Sequence, residues 1–294
     1  MNDMNKNHQG IVIRPPSEAG SFLLQVTTGC SHNRCTFCLT YKFHKFGRRP
    51  FDKLKEEIEL AARWNPSIQR VFLCDGNSMV LDADELVPIL DCLEYNFPAL
   101  ERVGVYANAR DILDKSPSDL ALLRKKKLSL AYMGLESGND EILEMVRKGS
   151  STEEMVQAVV KAQGAGIDMS VIVLLGLGGR NNSRVHAVDS ARAVSRMNPQ
   201  YLSALTLMLL PGTSLYDDYE KGCFEIMDPR SILQELRWLV EGLHVENCVF
   251  RTNHASNYLP VGGVLDRDKK GILSVIDAGL EDKSLLRPES RRAL

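Results

Sequence analysis

Six times along this chain a short apolar run gives way to a stretch with helical spacing. The runs are FLLQVTT (22–28), RVFLCDG (70–76), RVGVYANA (102–109), LSLAYMGLE (128–136), IDMSVIVLLGLGG (167–179) and YLSALTLMLL (201–210). Their helix-like followers lie at 51–64, 82–97, 116–127, 139–164, 183–197 and 231–243. In the first of these, Leu54, Ile58 and Ala61 recur at a helical period. Asp82 and Ser116 are natural N-caps, Pro117 suits a first turn, and Pro88 marks a bend. The stretch 139–164 reads as two short helices broken at Lys148-Gly149-Ser150.

Such repetition dictates an α/β fold with a parallel sheet and right-handed crossovers. A run such as VIVLLG, apolar on both faces, belongs inside that sheet. Six units are too few to close an eight-stranded barrel. They suffice for a partial (β/α)6 TIM-like barrel or a flat doubly wound sheet. In both, chemistry sits beyond the C-terminal strand ends. That rule marks 28–30, 75–77, 106–110, 136–138, 175–179 and 208–213. The expected division is an N-terminal arm over 1–20 and a core over 21–215. An extension over 216–280 would complete the barrel and carry a substrate segment, and 281–294 reads as a flexible tail.

Charge and composition narrow the function classes. Lys+Arg is 36 against Asp+Glu 38, a net charge of −2, which does not suit a dedicated nucleic-acid binder. No apolar run approaches the ~20 residues of a membrane span. The opening MNDMNKNHQG lacks the apolar centre of a signal peptide, so a cytoplasmic location is expected.

Seven cysteines are unevenly spread. Cys30, Cys35 and Cys38 share one short loop after the first strand, while Cys74, Cys92, Cys223 and Cys248 are scattered. In a reducing compartment a tight group suggests metal rather than disulfides. Structural zinc normally takes four ligands, with His32 or a distant residue as the fourth here. An iron–sulfur electron carrier would also need a fourth protein ligand. A [4Fe–4S] cluster on three cysteines leaves one iron open. The spacing alone leaves these readings side by side.

The motifs resemble the radical S-adenosylmethionine (radical SAM) superfamily, in the branch with GLESG-type fourth strands. The cysteine loop reads CxxxxCxxC, one residue longer than the usual CxxxCxxC, with Phe37 before the last cysteine. Asp75-Gly76-Asn77 stands where the family often has GGE, without the glutamate. Tyr106-Ala107-Asn108-Ala109-Arg110 is similar to an ANAR stretch, and Gly134-Leu135-Glu136-Ser137-Gly138 is followed by Arg147-Lys148-Gly149. Strand five ends Gly176-Leu177-Gly178-Gly179, and strand six leads into Leu210-Pro211-Gly212-Thr213. The likeness covers roughly 20–215.

It implies a [4Fe–4S] cluster on Cys30, Cys35 and Cys38, with SAM as cofactor or co-substrate. It implies reductive cleavage of SAM to a 5′-deoxyadenosyl radical that acts on a substrate. Phe37, Asp75, Gly76, Asn77, Asn108, Arg110, Glu136, Ser137, Lys148, Gly176, Leu210 and Pro211 would bind the cofactor. An external electron donor such as flavodoxin or ferredoxin is implied, acting alongside a small-molecule or peptide substrate. No cobalamin, porphyrin or tRNA chemistry is expected. The arm is too short for a cobalamin domain, a second N-terminal cysteine set is missing, and position 40 is Thr where coproporphyrinogen-type relatives carry a cysteine.

Beyond the sixth unit, residues 250–260 are dense in polar side chains. Arg251, His254, Asn257 and Tyr258 are substrate candidates, against a plain solvated loop. Lys42, His44, Arg48 and Arg49 form a basic stretch read first as a solvated helix entry, and second as a contact for an anionic substrate. Lys125-Lys126-Lys127 suits an exposed helix end. Cys223 and Cys248 lack the spacing of an auxiliary cluster site.

Overall fold

A computed structural model describes residues 12–293; the first eleven residues of the expected arm, and Leu294, lie outside the described residues. In chain order the main elements are β1 (Phe22–Gln25), β2 (Thr27–Thr28), β3 (Gly47–Arg48), α1 (Phe51–Trp64), β4 (Arg70–Cys74), α2 (Ala83–Asn96), β5 (Arg102–Tyr106), α3 (Ala109–Leu113), α4 (Pro117–Lys125) and β6 (Leu128–Glu136). There follow α5 (Asp140–Met145), α6 (Thr152–Gly164), β7 (Asp168–Leu175), α7 (Gly179–Met197), β8 (Tyr201–Thr206), α8 (Ser214–Glu220), α9 (Pro229–Gly242), β9 (Val249–Arg251), β10 (Gly262–Val264) and α10 (Leu265–Glu281).

The chain forms two compact units. The first comprises the chain to Asn33, then Thr40–Met133 and Val160–Met169; the second comprises Arg34–Leu39, Gly134–Val159 and the chain from Ser170. Strands β6 and β7 therefore each run from one unit into the other.

In the first unit β1 pairs with β4, β4 with β5, and β5 with β6, all parallel. Phe72, Cys74, Leu130 and Tyr132 form a buried cluster, with Val12, Leu23 and Tyr106 against it. Phe72 meets Tyr106 and Tyr132 edge to face, at 5.0 and 5.6 Å between ring centroids. The expected arm is anchored here: Glu18 is fully buried, and its Oε1 accepts hydrogen bonds from Arg102 Nη2 and Tyr132 Oη, both at 2.6 Å. Charge-assisted bonds offset the cost of burying that carboxylate. The expected first strand breaks at Val26, and its end pairs antiparallel with β3 (Thr27 with Arg48, Thr28 with Gly47). This small ladder brackets the chain between Gly29 and Phe46.

In the second unit β7 and β8 pair in parallel, as do β8 and β9, and β10 closes the edge antiparallel to β9. Across the expected extension over 216–280 the chain adds β9, β10 and α10, and the two strands carry no signal in the sequence. Three-residue strands are too short to show a period, so pairing rather than pattern creates them. The capped helices match expectation. Asp82 and Ser116 each sit in a capping box, with Glu85 and Asp119 returning the bond.

Candidate active site

The C-terminal end of β4 is built around the cysteine loop. Asp75 follows β4 with φ +82°, a left-handed backbone that a non-glycine residue rarely holds. Its Oδ2 accepts from Gln25 Nε2 (3.0 Å) and from the Gly29 backbone N–H (2.9 Å). Among the described residues its Oδ1 is buried without a well-aligned hydrogen bond, with the Tyr41 hydroxyl as the polar neighbour of the carboxylate. Burial pushes the Asp75 carboxyl above its ordinary value, against the hydrogen bonds that favour the anion. Gly76 comes next, and a Cβ there would lie 2.5 Å from both Cys30 Cα and the Gly29 carbonyl oxygen. Only glycine allows that approach.

Asn77 completes the clamp. It is fully buried, accepts from the Ser31 N–H (3.0 Å) and donates to Ser31 Oγ (2.8 Å). Its Nδ2 also donates to Asp111 Oδ2 (2.8 Å), which accepts in turn from the Asn108 N–H. Asn108 is thereby drawn into the first turn of α3, whereas Arg110 is exposed. The side chains of Asp75 and Asn77 thus flank Cys30, one holding residue 29 and the other residue 31.

Cys35 and Cys38 belong to the second unit, where the Cys38 N–H donates to the Cys35 carbonyl (3.3 Å). Thr36 is stitched on both sides. Its N–H donates to Val146, and its carbonyl accepts from Leu215 (both 3.0 Å). Among the described residues its buried hydroxyl has no hydrogen-bond partner. Phe37 packs on a cluster of Ile142, Val146, Leu177, Leu207, Leu215 and Phe224, which explains an aromatic residue at this place in the loop.

Two more strand ends carry left-handed backbone: Glu136 at φ +63° and Gly176 at φ +84°. Glu136 folds back over Gly134, where a Cβ would come within 1.9 Å of its Oε1, and pairs with Lys148 (3.0 Å). Both partners are mostly buried. Ser137 is fully buried, 2.8 Å from His186 Nδ1, and accepts from the Asn139 N–H (3.1 Å). The other ring nitrogen of His186 lies 3.2 Å from the Leu174 carbonyl and 3.5 Å from Glu235. A carbonyl only accepts, so Nε2 carries a proton. Glu235, fully buried on α9, accepts from the Gly176 N–H (2.6 Å) and from the Ser183 hydroxyl (2.5 Å). Burial raises its carboxyl pKa, while His186 and these donors pull the other way.

His186, Ser183 and Glu235 were not among the residues expected from sequence. The available signal was a polar residue on a buried stripe: His186 among Ala187, Ser190 and Ala191, and Glu235 between Ile232 and Leu239. Leu210 is half-buried, Pro211 is exposed, and Thr213 caps α8 by accepting from the Tyr216 N–H (3.3 Å).

The 250–260 segment is distributed differently. Asn257 is buried; it donates to the Ala204 and Thr252 carbonyls (2.8 and 2.9 Å) and accepts from Thr206 Oγ1 (2.8 Å). Tyr258 is buried, donates to Glu289 (2.7 Å) and carries the Arg292 guanidinium over its ring at 4.2 Å. Arg287 and Arg292 cap four backbone carbonyls of residues 254–257. Arg251 is exposed on β9, and His254 is half-buried, with burial lowering its pKa.

Three thiols on one loop are the donor chemistry of an iron–sulfur centre. All three are half-buried, and none of the seven cysteines forms a disulfide. Cys74 and Cys248 are buried, with their thiols pushed up (Cys248 to about 12), which makes them inert rather than ligating. Among the described residues, no three His, Cys, Asp or Glu side chains are gathered closely enough to hold a metal ion, the three thiols of the loop included. The donor set fits the centre in its chemistry, and Gly76 with the Asp75 and Asn77 side chains holds the backbone of residues 29–31 around Cys30.

The family model of the radical SAM superfamily matches residues 24–191, more than half of the chain. The chain belongs to the radical SAM superfamily. It is an enzyme of that class. An uncharacterized protein of Methanocaldococcus jannaschii is 21% identical over 236 residues, which is 74% of this chain and 71% of that protein. Among solved structures, methylornithine synthase (PylB) has a TM-score of 0.54 at 18% identity, over 76% of this chain and 63% of that one. Coproporphyrinogen III oxidase (HemN) from Escherichia coli, a radical SAM enzyme, has a TM-score of 0.55 at 17% identity, over 76% and 52%. The chain therefore spans under two thirds of these solved relatives, and the likeness establishes the fold: α/β, with a mostly parallel sheet of the partial TIM-like barrel type. Among the described residues of this radical SAM protein, no helix is long and apolar enough to cross a membrane.

Proposed function

We propose that this chain holds a [4Fe–4S] cluster on Cys30, Cys35 and Cys38 and cleaves SAM reductively, in the GLESG-type branch. The carrying observation is the fit of the β4 end to the cysteine loop. A Cβ at Gly76 would strike Cys30, and Asp75 and Asn77 hold the backbone on either side of it. When bound, cluster and SAM together supply one-electron C–S cleavage and a carbon radical that takes hydrogen from the substrate.

The chain's own residues hold and shield. Cys30, Cys35 and Cys38 would ligate; Asp75 and Asn77 fix the loop through N–H bonds, so the extra residue in CxxxxCxxC is absorbed without loosening residues 29–31. Glu136, held by Lys148, offers a carboxylate at a strand end for the polar part of SAM. Gly176, locked by Glu235, offers a turn that adenine can approach closely. Asn108, Arg110, Leu210 and Pro211 complete the proposed contacts, while Ser137, fully buried against His186, holds the turn behind them. For the substrate, Arg251 and His254 are the candidates with surface to offer, since Asn257 and Tyr258 spend their polar atoms internally.

The test is anaerobic reconstitution with iron and sulfide, then dithionite and SAM, with 5′-deoxyadenosine as the readout. Formation of the nucleoside by wild type, and not by the Cys30/Cys35/Cys38 triple Ala variant, is expected. Zinc in place of iron, or a cluster that never cleaves SAM, would sink the reading.

A further inference from the structure

One buried face of α7 is polar. Ser183, His186 and Ser190 stand there at positions i, i+3 and i+7. Each buried polar atom needs a partner, so an apolar face would pack at less cost. The partners come from two strand ends of the same unit. At the β6 end, Ser190 Oγ accepts from the Gly138 N–H and Asp189 Oδ2 accepts from Asn139 Nδ2, both at 2.9 Å. A Cβ on Gly138 would lie 2.3 Å from the Asp189 carbonyl oxygen, so this end rests directly on α7. At the β7 end, Glu235 joins the Ser183 hydroxyl to the Gly176 N–H.

His186 reaches both ends at once. Its Nδ1 lies 2.8 Å from Ser137 Oγ, and its Nε2 faces the Leu174 carbonyl and Glu235. The ionic partner of the fully buried Glu235 is thus an imidazole, not a lysine or arginine. In the neutral ring Nε2 keeps the proton and Nδ1 accepts from Ser137, whose oxygen accepts from the Asn139 N–H. A continuous line of hydrogen-bonding groups therefore runs from the Asn139 N–H to the Gly176 N–H. It joins two turns that both depend on left-handed backbone, at Glu136 and at Gly176.

We infer that His186 is a positioning residue for the cofactor. It ties the 136–139 turn to the 174–176 turn, so the hold on the polar part of SAM and the hold on its adenine are set together. The inference rests on the radical SAM reading. His186 itself touches no cofactor; it acts through Ser137 on one side and through Glu235 on the other. Such supporting groups keep contact residues in a productive geometry by locking what lies behind them.

The experiment compares the full chain with Ser137→Ala, Ser183→Ala, both together, and Ser137→Ala in a His186→Leu background. In the chain without a cluster, amide hydrogen exchange is followed at Asn139 and Gly176. Ser137→Ala should quicken exchange at Gly176, to which Ser137 has no bond, and Ser183→Ala should quicken it at Asn139. With Leu at 186 the change at Ser137 should no longer reach Gly176; if that background does not fold, the two serine variants still decide. In the reconstituted enzyme each serine variant should raise the KM for SAM about tenfold, with kcat for 5′-deoxyadenosine little changed. The double variant should raise KM by less than the product of the two. Exchange quickened only beside each substitution overturns the inference, as do KM effects that multiply or a KM that stays at the wild-type value. A wild type that forms no nucleoside strikes at the radical SAM reading instead, and the exchange result still decides whether the two turns are tied.

Discussion

Residues 42–48 turn their charged and aromatic side chains outward, whereas residues 252–258 turn most of theirs inward. Lys42, Phe43 and Lys45 face water, while Thr252, Ser256, Asn257 and Tyr258 are buried and bonded to backbone or to neighbouring side chains. The two stretches are alike in polarity. The difference teaches that polar density alone does not mark a binding surface; what matters is whether the donors are already spent. Inward groups should register in stability, and outward ones in binding or turnover.

The sharpest break of that contrast comes from Glu235. Replacing it with Ala strands the Gly176 N–H, the Ser183 hydroxyl and His186 in the interior, at about 3–5 kcal/mol. Glu235→Gln keeps an acceptor and should lose less. Urea unfolding measures both, and a loss below 1 kcal/mol for the Ala variant would remove the network from the account. Asn257→Ala deletes three buried hydrogen bonds and should cost about 3 kcal/mol. If it unfolds like wild type while losing substrate turnover, Asn257 belongs with the outward group. Gly76→Ala forces a Cβ onto Cys30 and should cost about 1–3 kcal/mol, with poorer iron retention after gel filtration. Full iron content in that variant would show the loop free to shift.

Arg251→Ala, by contrast, should change stability by no more than about 0.5 kcal/mol while abolishing turnover of the substrate and sparing SAM binding. Unchanged turnover would return Arg251 to the plain surface. The smallest effect concerns His254, whose pKa burial lowers, with Arg287 adding to it. The folded chain therefore prefers the neutral ring. Its contribution is present above about pH 6.5 and lost as pH falls through the lower folded value. Relative to His254→Gln, wild type should lose stability on acidification over that window. Parallel pH curves for the two proteins would contradict this.

The alternation of strands and helices was legible because each element is long enough to show its period. So was the position of the cysteine loop and of the 75–77, 136–137 and 176 strand ends. The roles were less so. Asp75 and Asn77 stand where a SAM contact was expected, and their side chains bond to the cysteine loop instead; nothing in a three-residue string says which way its side chains point. β9 and β10 escaped notice because three residues carry no pattern. His186 and Glu235 escaped because they sit 49 positions apart on different helices and meet only after folding.

The arm residue Glu18 has a consequence for dissecting the molecule. The region matched by the family begins at residue 24, and a core trimmed there would discard the acceptor on which Arg102 and Tyr132 close. The Tyr132 phenol would then stand buried without its acceptor, while the Arg102 guanidinium, a quarter exposed, would turn to water. Where a functional piece of this chain starts is thus decided by a carboxylate ahead of the first strand, not by the first strand itself.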